Sequence, residues 1–284
     1  MNNIVAGIVL YNPDLQRLDK NINAVFFQVD KIIFYDNGSK NIKQISSYLD
    51  QKNINYELIT SEENLGIAHA LNELCKSAEA YGYKWILTLD QDTVISDKLI
   101  KNYKNYLTLP NLGQLSCVYK DRNSAELKDE IDSNVVEVKE CITSGALLNI
   151  NAAKVIGGFD ENMFIDYVDF DLCYALRNNG YKTYRISYIG MLHEIGHITS
   201  HNFLGKKVEI FNQSVFRHYY RCRNFILFTK RYKLYTKKRA IFIQFKTWIK
   251  VLLYENNKVS KTKAMFKGLR DGLKMDVVRR NYFN

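Results

Sequence analysis

The sequence predicts an α/β fold, a mostly parallel central sheet with helices on both faces, joined to a basic, helical C-terminal region. Three observations carry that reading. Short apolar runs alternate with amphipathic stretches through the first half of the chain, as successive βαβ units do. The 284 residues, 46% apolar and 25% charged, suffice for one large domain or two modest ones with a sizeable core. Charge is unevenly placed: residues 205–284 hold 21 Lys/Arg and 4 Asp/Glu, whereas the preceding 204 residues hold 19 and 26. The chain therefore divides into residues 1–204, built on the sheet, and residues 205–284, basic and helical.

Taken in order, Ile4–Tyr11 is an apolar strand. Pro13–Val29 follows as a helix, with Pro13 near its first turn, where a missing N–H costs nothing. Lys31–Tyr35 is a second strand and runs into the turn cluster Asp36-Asn37-Gly38-Ser39. Ile42–Gln51 is a helix, Asn55–Thr60 a strand, Gly66–Tyr81 a helix and Trp85–Leu89 a buried strand. Beyond Pro110 the pattern turns irregular, with a polar loop over Asp121–Ser133. Cys141–Ile150 is strand-like and contains Thr143-Ser144-Gly145. The acidic stretch Phe164–Asp171 opens a helix through Arg177, and Arg185–Leu192 is strand-like again. From about residue 205 the chain is helical. Within that region Ile241, Phe242, Phe245, Trp248, Ile249, Leu252 and Leu253 share one face of a helix over Ala240–Tyr254, with Gln244, Lys246, Thr247 and Lys250 opposite. Such a helix either lies in a membrane surface, with snorkelling lysines and an interfacial Trp, or packs on the rest of the protein.

Composition excludes several classes. Five cysteines (Cys75, Cys117, Cys141, Cys173, Cys222) stand far apart without a CxxC, which argues against a disulfide framework and for reduced thiols in a cytosol. A strand begins directly after Met1-Asn2-Asn3, so no secretory leader is expected. No apolar stretch reaches the ~18 residues of a membrane span. The basic C-terminal region implies an anionic partner: lipid head groups, a phosphate-bearing substrate or nucleic acid.

Asp90-Gln91-Asp92 is the most informative motif. Two carboxylates one residue apart at a strand's C-terminal end can hold a hard cation, Mg²⁺ or Mn²⁺, against the phosphates of a nucleotide. Alone, such a triplet serves equally well as a cap or a solvated turn. Ligands of open α/β sheets, however, collect at the C-terminal edge of the strands. The tips there carry Asn12, Asp36, Asn64 and Asp90/Asp92.

Together these motifs resemble the family-2 inverting glycosyltransferases with a GT-A (Rossmann-like) fold, and most of all their bacterial rhamnosyltransferase branch. The resemblance covers roughly residues 4–230. It implies that Tyr11 and Asn12 flank the nucleotide base, that Asp36 reads the pyrimidine N–H, and that Asn64-Leu65-Gly66 leads into a helix over the nucleoside. It implies metal ligation by Asp92, with Asp90 on the ribose or metal-bound water and His193 near the metal or diphosphate. Val168-Asp169-Phe170-Asp171 takes the place of the family's ED-x-D segment, which implies that Asp169 is the catalytic base; Val168 stands where the family has Glu, a departure from the motif. Ser144, Gly145, Asp166, Asp171, Arg217 and Arg221 are the further candidates for donor, acceptor or phosphate contacts; Arg217–Asn224 (RHYYRCRN) also resembles a tract of that branch. Asp171, near the first turn of its helix, has a second reading as an acid that stabilises the helix dipole.

The chemistry agrees with these roles. An inverting transfer needs one carboxylate to take the acceptor's proton and a cation to neutralise the departing diphosphate. The implied reaction moves L-rhamnose from dTDP-L-rhamnose to a hydroxyl of a cell-surface glycan or its lipid-linked precursor. It would run on the cytoplasmic side of the bacterial membrane, with the basic region against the anionic inner leaflet. Thymine and uracil differ by one methyl, so a UDP-hexose is the close alternative. Two other classes compete. His193-Glu194-Ile195-Gly196-His197 matches the H-E-x-x-H of zinc proteases, which requires a helix. Basic and aromatic residues interleaved over 217–235 would suit a non-catalytic module on a membrane or nucleic acid. That second alternative leaves the acidic motifs unexplained, and no nucleic-acid partner is expected.

Overall fold

A computed structural model describes residues 3–123, 126–194, 196, 199–203 and 206–283. The chain forms two compact units. One comprises Met1–Asn162, Val168–Glu194 and Asn281–Asn284; the other comprises Met163–Tyr167 and Ile195–Arg280.

Among the described residues, the first unit is built on ten strands. β1 (Ile4–Leu10), β2 (Ile32–Asn37), β3 (Tyr56–Ser61) and β4 (Trp85–Asp90) are parallel neighbours. β5 (Val94–Ile95), β6 (Leu112–Asp121), β7 (Leu127–Lys128), β8 (Val135–Val138), β9 (Ala146–Asn149) and β10 (Lys182–His193) complete the sheet. Its order is β3-β2-β1-β4-β9-β6-β10-β5, with β7 on β6 and β8 on β10. Along that path only β9 and β5 run against the rest, so the sheet is mostly parallel. Every residue of β1 is buried, which means that both faces of the sheet are covered at its centre.

Helices α1 (Leu15–Val25), α2 (Ile42–Asp50), α3 (Ile67–Ala80), α4 (Leu99–Lys104), α5 (Ile150–Val155) and α6 (Val168–Asn178) connect the strands. α1 starts two residues later than Pro13, because the Asp14 carboxylate accepts the Arg17 N–H at 2.9 Å and so caps the helix. It also stops four residues short of Val29. β2 runs on through Asp36 and Asn37, which the composition of the cluster had assigned to a turn. The irregular stretch beyond Pro110 holds the ten-residue strand β6. Gln114 and Ser116 break its apolar pattern yet are buried, and the Ser116 hydroxyl donates to the Tyr184 carbonyl at 3.3 Å. Conversely, only Ala146–Asn149 of the strand-like 141–150 is extended. Thr143–Gly145 form a turn closed by the Ala146 N–H on the Thr143 carbonyl at 3.1 Å.

The second unit is not helical from its start. β11 (Thr199–Phe203) and β12 (Lys206–Ile210) form an antiparallel pair, and α7 (Val215–Arg231), α8 (Lys237–Tyr254) and α9 (Lys258–Lys274) follow. α7 and α8 are capped by the hydroxyls of Ser214 and Thr236. α9 lies against α7 closely enough that a Cβ at Gly268 would come within 2.4 Å of the Tyr219 carbonyl oxygen. The segment 163–167 belongs to this unit. Its Phe164 ring stacks on Tyr220 at 4.9 Å, and Tyr167 meets Phe228 at 5.5 Å.

Candidate active site

The register of the sheet decides which side chains meet. Leu10 pairs with Asp36 and Val9 with Asp90, so the tips bearing Asn12, Asp36 and Asp90 end level at one edge. Asp36 pairs in turn with Thr60, four residues before Asn64.

At that edge Asp90, Asp92 and His193 each offer a ligand atom within 4.8 Å of the others, and all three are half-buried. They come from the tip of β4 and the last residue of β10. Two carboxylates and an imidazole suit Mn²⁺ or Mg²⁺, with coordination positions left for phosphate oxygens.

Four side chains to which the sequence assigned no role hold this group in place. Asn21 donates its amide to the carbonyls of Asp90 at 2.8 Å and Thr93 at 2.7 Å. The fully buried Thr93 hydroxyl lies 2.7 Å from Ser144 Oγ and 3.0 Å from His193 Nδ1. Arg122 donates its backbone N–H to the His193 carbonyl at 2.9 Å and its guanidinium to the Asp92 carbonyl at 2.8 Å. Gln91, between the two acids, accepts the Tyr11 N–H at 2.8 Å and returns an N–H to the Tyr11 carbonyl at 3.3 Å, tying β4 to β1. Asn21 carried a signal in the sequence, as a polar residue within the apolar stripe Leu18, Ile22, Val25 of α1. Ser144 accepts the Asp90 N–H at 3.0 Å, and Gly145 beside it bonds to the Thr88 carbonyl and the Tyr103 hydroxyl. Both are buried, so their hydrogen bonds are spent within the protein.

The nucleotide-side candidates form a second network. Asp36 is 1% exposed; one carboxylate oxygen accepts the Ser39 N–H at 2.9 Å, and the other, Oδ1, is buried with no partner among the described residues. A buried, unpaired carboxylate oxygen is costly unless a ligand donor satisfies it. Asn12, at φ +46°, gives its N–H to Ser39 Oγ at 2.7 Å and accepts the Lys40 N–H at 2.9 Å, and the Tyr11 ring beside it is exposed. Asn64 accepts from Asn37 at 3.1 Å and from the Gly66 N–H at 3.0 Å. Gly66 stands at φ +93°, ψ +162° ahead of α3, a conformation essentially closed to other residues.

Asp169 sits in the first turn of α6 and its carboxylate accepts the Phe170 N–H at 2.9 Å. Its charge reaches Tyr119, whose phenol is pushed up to about 12 by burial first, then by Asp129, Asp121 and Asp169 against the pull of Arg185. The Tyr119 ring meets the His193 ring edge-on at 5.9 Å. Asp169 and His193 thus bear on one tyrosine. Asp171 is fully buried.

Three candidates lie in the second unit. Arg217 grips Asp166 with two nitrogens, at 2.5 and 3.3 Å. The Arg221 guanidinium covers the Phe211 ring at 4.7 Å. Asn224, fully buried, donates to the carbonyls of Met163, Ile165 and Asp166 at 2.6, 2.8 and 2.9 Å.

The zinc-protease alternative fails on geometry. His193 ends a strand rather than opening a helix, and Glu194 pairs with Arg17 at 2.8 Å. His197 lies outside the described residues.

Comparison with known proteins bears on the family and the fold. The family model described as glycosyl transferase family 2 matches residues 6–157. A dTDP-rhamnosyl transferase from Shigella flexneri, RfbF, is 28% identical over 291 aligned residues, covering 96% of each chain. A poly-beta-1,6-N-acetyl-D-glucosamine synthase from Staphylococcus epidermidis is 33% identical over 154 residues, 48% of this chain and 36% of that one. Among solved structures, S. aureus TarS 1-349 in complex with UDP-GlcNAc superposes with a TM-score of 0.57 at 13% identity, covering 96% of this chain and 73% of TarS. GalNAc-T7 with UDP, GalNAc and Mn²⁺ gives 0.52 at 12% identity over 68% of this chain and 45% of its own. The fold is therefore that of the GT-A glycosyltransferases.

Proposed function

The chain belongs to glycosyl transferase family 2, and from that premise we propose that this glycosyltransferase moves L-rhamnose from dTDP-L-rhamnose to a hydroxyl of a bacterial cell-surface glycan or its lipid-linked precursor, with inversion. The observation that carries the reading is the set Asp90, Asp92 and His193 gathered at the tip of β4. The donor is argued from the end-to-end likeness to a dTDP-rhamnosyl transferase. Five free, buried cysteines fit a cytoplasmic setting.

Asp92 and His193, with Asp90 directly or through water, would hold Mg²⁺ or Mn²⁺. A cation there supplies Lewis-acid stabilisation of the diphosphate that departs. The chain's own groups do the rest. Asp36, with its unpaired buried oxygen, accepts the N–H of the pyrimidine. The exposed Tyr11 ring lies against the base. Asp169 takes the proton of the acceptor hydroxyl as that oxygen bonds to the anomeric carbon, while the bond from that carbon to the diphosphate breaks. One displacement by one base inverts the centre. Thr93 orients the His193 imidazole, as the outer partner of a metal-binding histidine usually does.

A thermal-shift panel of dTDP, UDP, GDP and their sugars, with and without Mn²⁺, tests this. Stabilisation grows with ligand concentration over its dissociation constant, so the preferred donor gives the largest rise. Manganese-dependent stabilisation by dTDP-L-rhamnose above all others supports the reading. A larger shift with a UDP-hexose transfers it to that donor, a second reading favoured by the superposition on TarS with UDP-GlcNAc. No shift with any nucleotide overturns it.

A further inference from the structure

The sequence left two readings of α8, and the structure separates its two sides. Ala240 and Val251 are its buried residues, and Ala240 packs with Phe225 and Ile226 of α7. On the opposite side Phe242, Phe245, Ile249 and Leu253 are 55%, 48%, 39% and 52% exposed. At 100° per residue these four fall within an arc of about 80°, one stripe down the helix. Four large apolar side chains facing water in a row are a cost that a soluble surface does not need. α9 extends the feature: Phe266 is 55% exposed, and its ring meets Trp248 edge-on at 5.8 Å, with Phe245 a further 5.4 Å from Trp248. A shallow apolar groove of about 80 Å³ runs between Phe245, Trp248, Met265 and Phe266, too small to swallow an acyl chain. The face is a surface, not a tunnel.

Its charges name the partner. α8 carries five basic residues and no acid, and α9 six basic residues and one acid. Lys246 and Lys250 line one edge of the α8 stripe, Lys238 stands in line with it one turn before Phe242, and Lys263, Lys267 and Arg270 lie beside Phe266; all six are exposed. Lys246 lays its stem along Phe242, with the ammonium 4.7 Å from the ring centre. Apolar groups edged by snorkelling cations match an anionic lipid surface, which takes the rings at the level of its head groups and pairs the ammonium groups with its phosphates. A nucleic acid would meet the charges and leave the stripe in water. No helix among the described residues is long and apolar enough to cross a membrane, so the helix would lie in the plane of the surface.

We propose that the exposed stripe of α8 (Phe242, Phe245, Ile249, Leu253), with Phe266 of α9 and the lysines around them, docks on the surface of a membrane containing anionic phospholipid. Docking is measured without donor or acceptor, so its failure leaves the sugar-transfer reading standing, and the converse holds as well.

The test is co-sedimentation of the full chain with vesicles of phosphatidylcholine, with and without phosphatidylglycerol. Binding to the anionic vesicles is expected, with little to phosphatidylcholine alone. The triple variant Phe242→Ser/Phe245→Ser/Ile249→Ser should lower the partition coefficient by more than about a hundredfold, given the transfer free energy of buried aromatic and branched side chains. Lys246→Gln/Lys250→Gln should lower it by about tenfold or more and remove much of the dependence on phosphatidylglycerol. All five positions are exposed, so both variants should melt with the wild type. As a second readout, Phe242→Trp should shift its emission to the blue on adding anionic vesicles. Equal binding of wild type and triple variant, or equal binding to both vesicle types, overturns the proposal. So does a lipid-free wild-type dimer that the triple variant turns into a monomer, because the stripe would then be an interface between two copies.

Discussion

The turn after β4 and the loop before α6 both present acids, and they are held in opposite ways. Asp90–Thr93 contains no residue of positive φ, and side chains from four separate stretches, Asn21, Arg122, Ser144 and His193, close on it. In the segment Phe164–Tyr167, three of four residues (Phe164, Asp166, Tyr167) have φ between +55° and +68°, and none is glycine. Such conformations cost about 1–3 kcal/mol each. They persist because one buried amide, Asn224, takes the carbonyls of Ile165 and Asp166 and that of Met163 just before them, and Arg217 takes the Asp166 carboxylate. The first region is over-determined and unstrained; the second is strained and hangs on few groups. A single substitution should therefore tune the first and collapse the second.

The largest expected effects separate the chemistry of the two regions. Asp169→Asn should lower the transfer rate by about 10²–10⁴-fold while leaving the nucleotide dissociation constant within about twofold, because a base acts on the acceptor. Asp92→Ala should instead abolish the manganese-dependent part of nucleotide binding measured by calorimetry. Wild-type turnover in Asp169→Asn would remove the base from Asp169.

Next in size is the clamp. Asn224→Ala takes this donor from the carbonyls of Ile165 and Asp166, while Met163 keeps the Ile165 N–H, and should destabilise the helical unit by about 3 kcal/mol in a denaturant titration, at ~1–3 kcal/mol for each group left unpaired. Asn224→Asp, which keeps the shape but loses the donor, should do no better. If either variant melts with the wild type, the three left-handed residues do not depend on this side chain.

A smaller change should follow in the over-determined region. Thr93→Val keeps the volume and removes the hydroxyl between Ser144 and His193, so Mn²⁺ affinity should fall by about 10–100-fold, as for other outer partners of a metal-binding histidine. Metal-free nucleotide affinity should not move. An unchanged Mn²⁺ affinity would show that the histidine is oriented without Thr93.

What the sequence disclosed follows the same division. The parallel strands β1 to β4 were legible because each is a short apolar run ended by turn residues, and the strand-end rule then gathered Asn12, Asp36 and Asp90. β6 was hidden because Gln114 and Ser116, both buried, broke its apolar pattern. Thr93, Arg122 and Gln91 were illegible because their importance lies in groups they bind from as far as 100 residues away. Asn224 stood in a tract that drew notice, yet nothing local marks an asparagine as the support of left-handed residues 60 positions earlier. For α8, periodicity found the apolar residues but not their division between a buried side at Ala240 and Val251 and an exposed one at Phe242 and Ile249.

The smallest effect concerns pH, and it bears on the strained region through the helix that carries its clamp. His218 of α7 is buried against Glu255, with its Nε2 2.9 Å from the carboxylate that Lys261 also holds at 2.6 Å. Burial pulls His218 below its ordinary value of 6.5, helped by the charges of Lys261 and Arg221 and opposed by Glu255. Glu255 is held below its ordinary value as well: burial raises it, and the bonds from Lys261 and His218 together outweigh that. Both shifts act in the same direction. As pH falls through 6.5 the unfolded chain takes up the His218 proton before the folded one does, so stability is lost from there down to the folded value. Glu255 contributes stability above its ordinary value of 4.5, and that is lost as pH falls through its lower folded value. The melting temperature should therefore be flat above pH 7 and decline in two steps below it. His218→Gln should remove the upper step and keep the lower, and an unchanged upper step in that variant would assign it to another group.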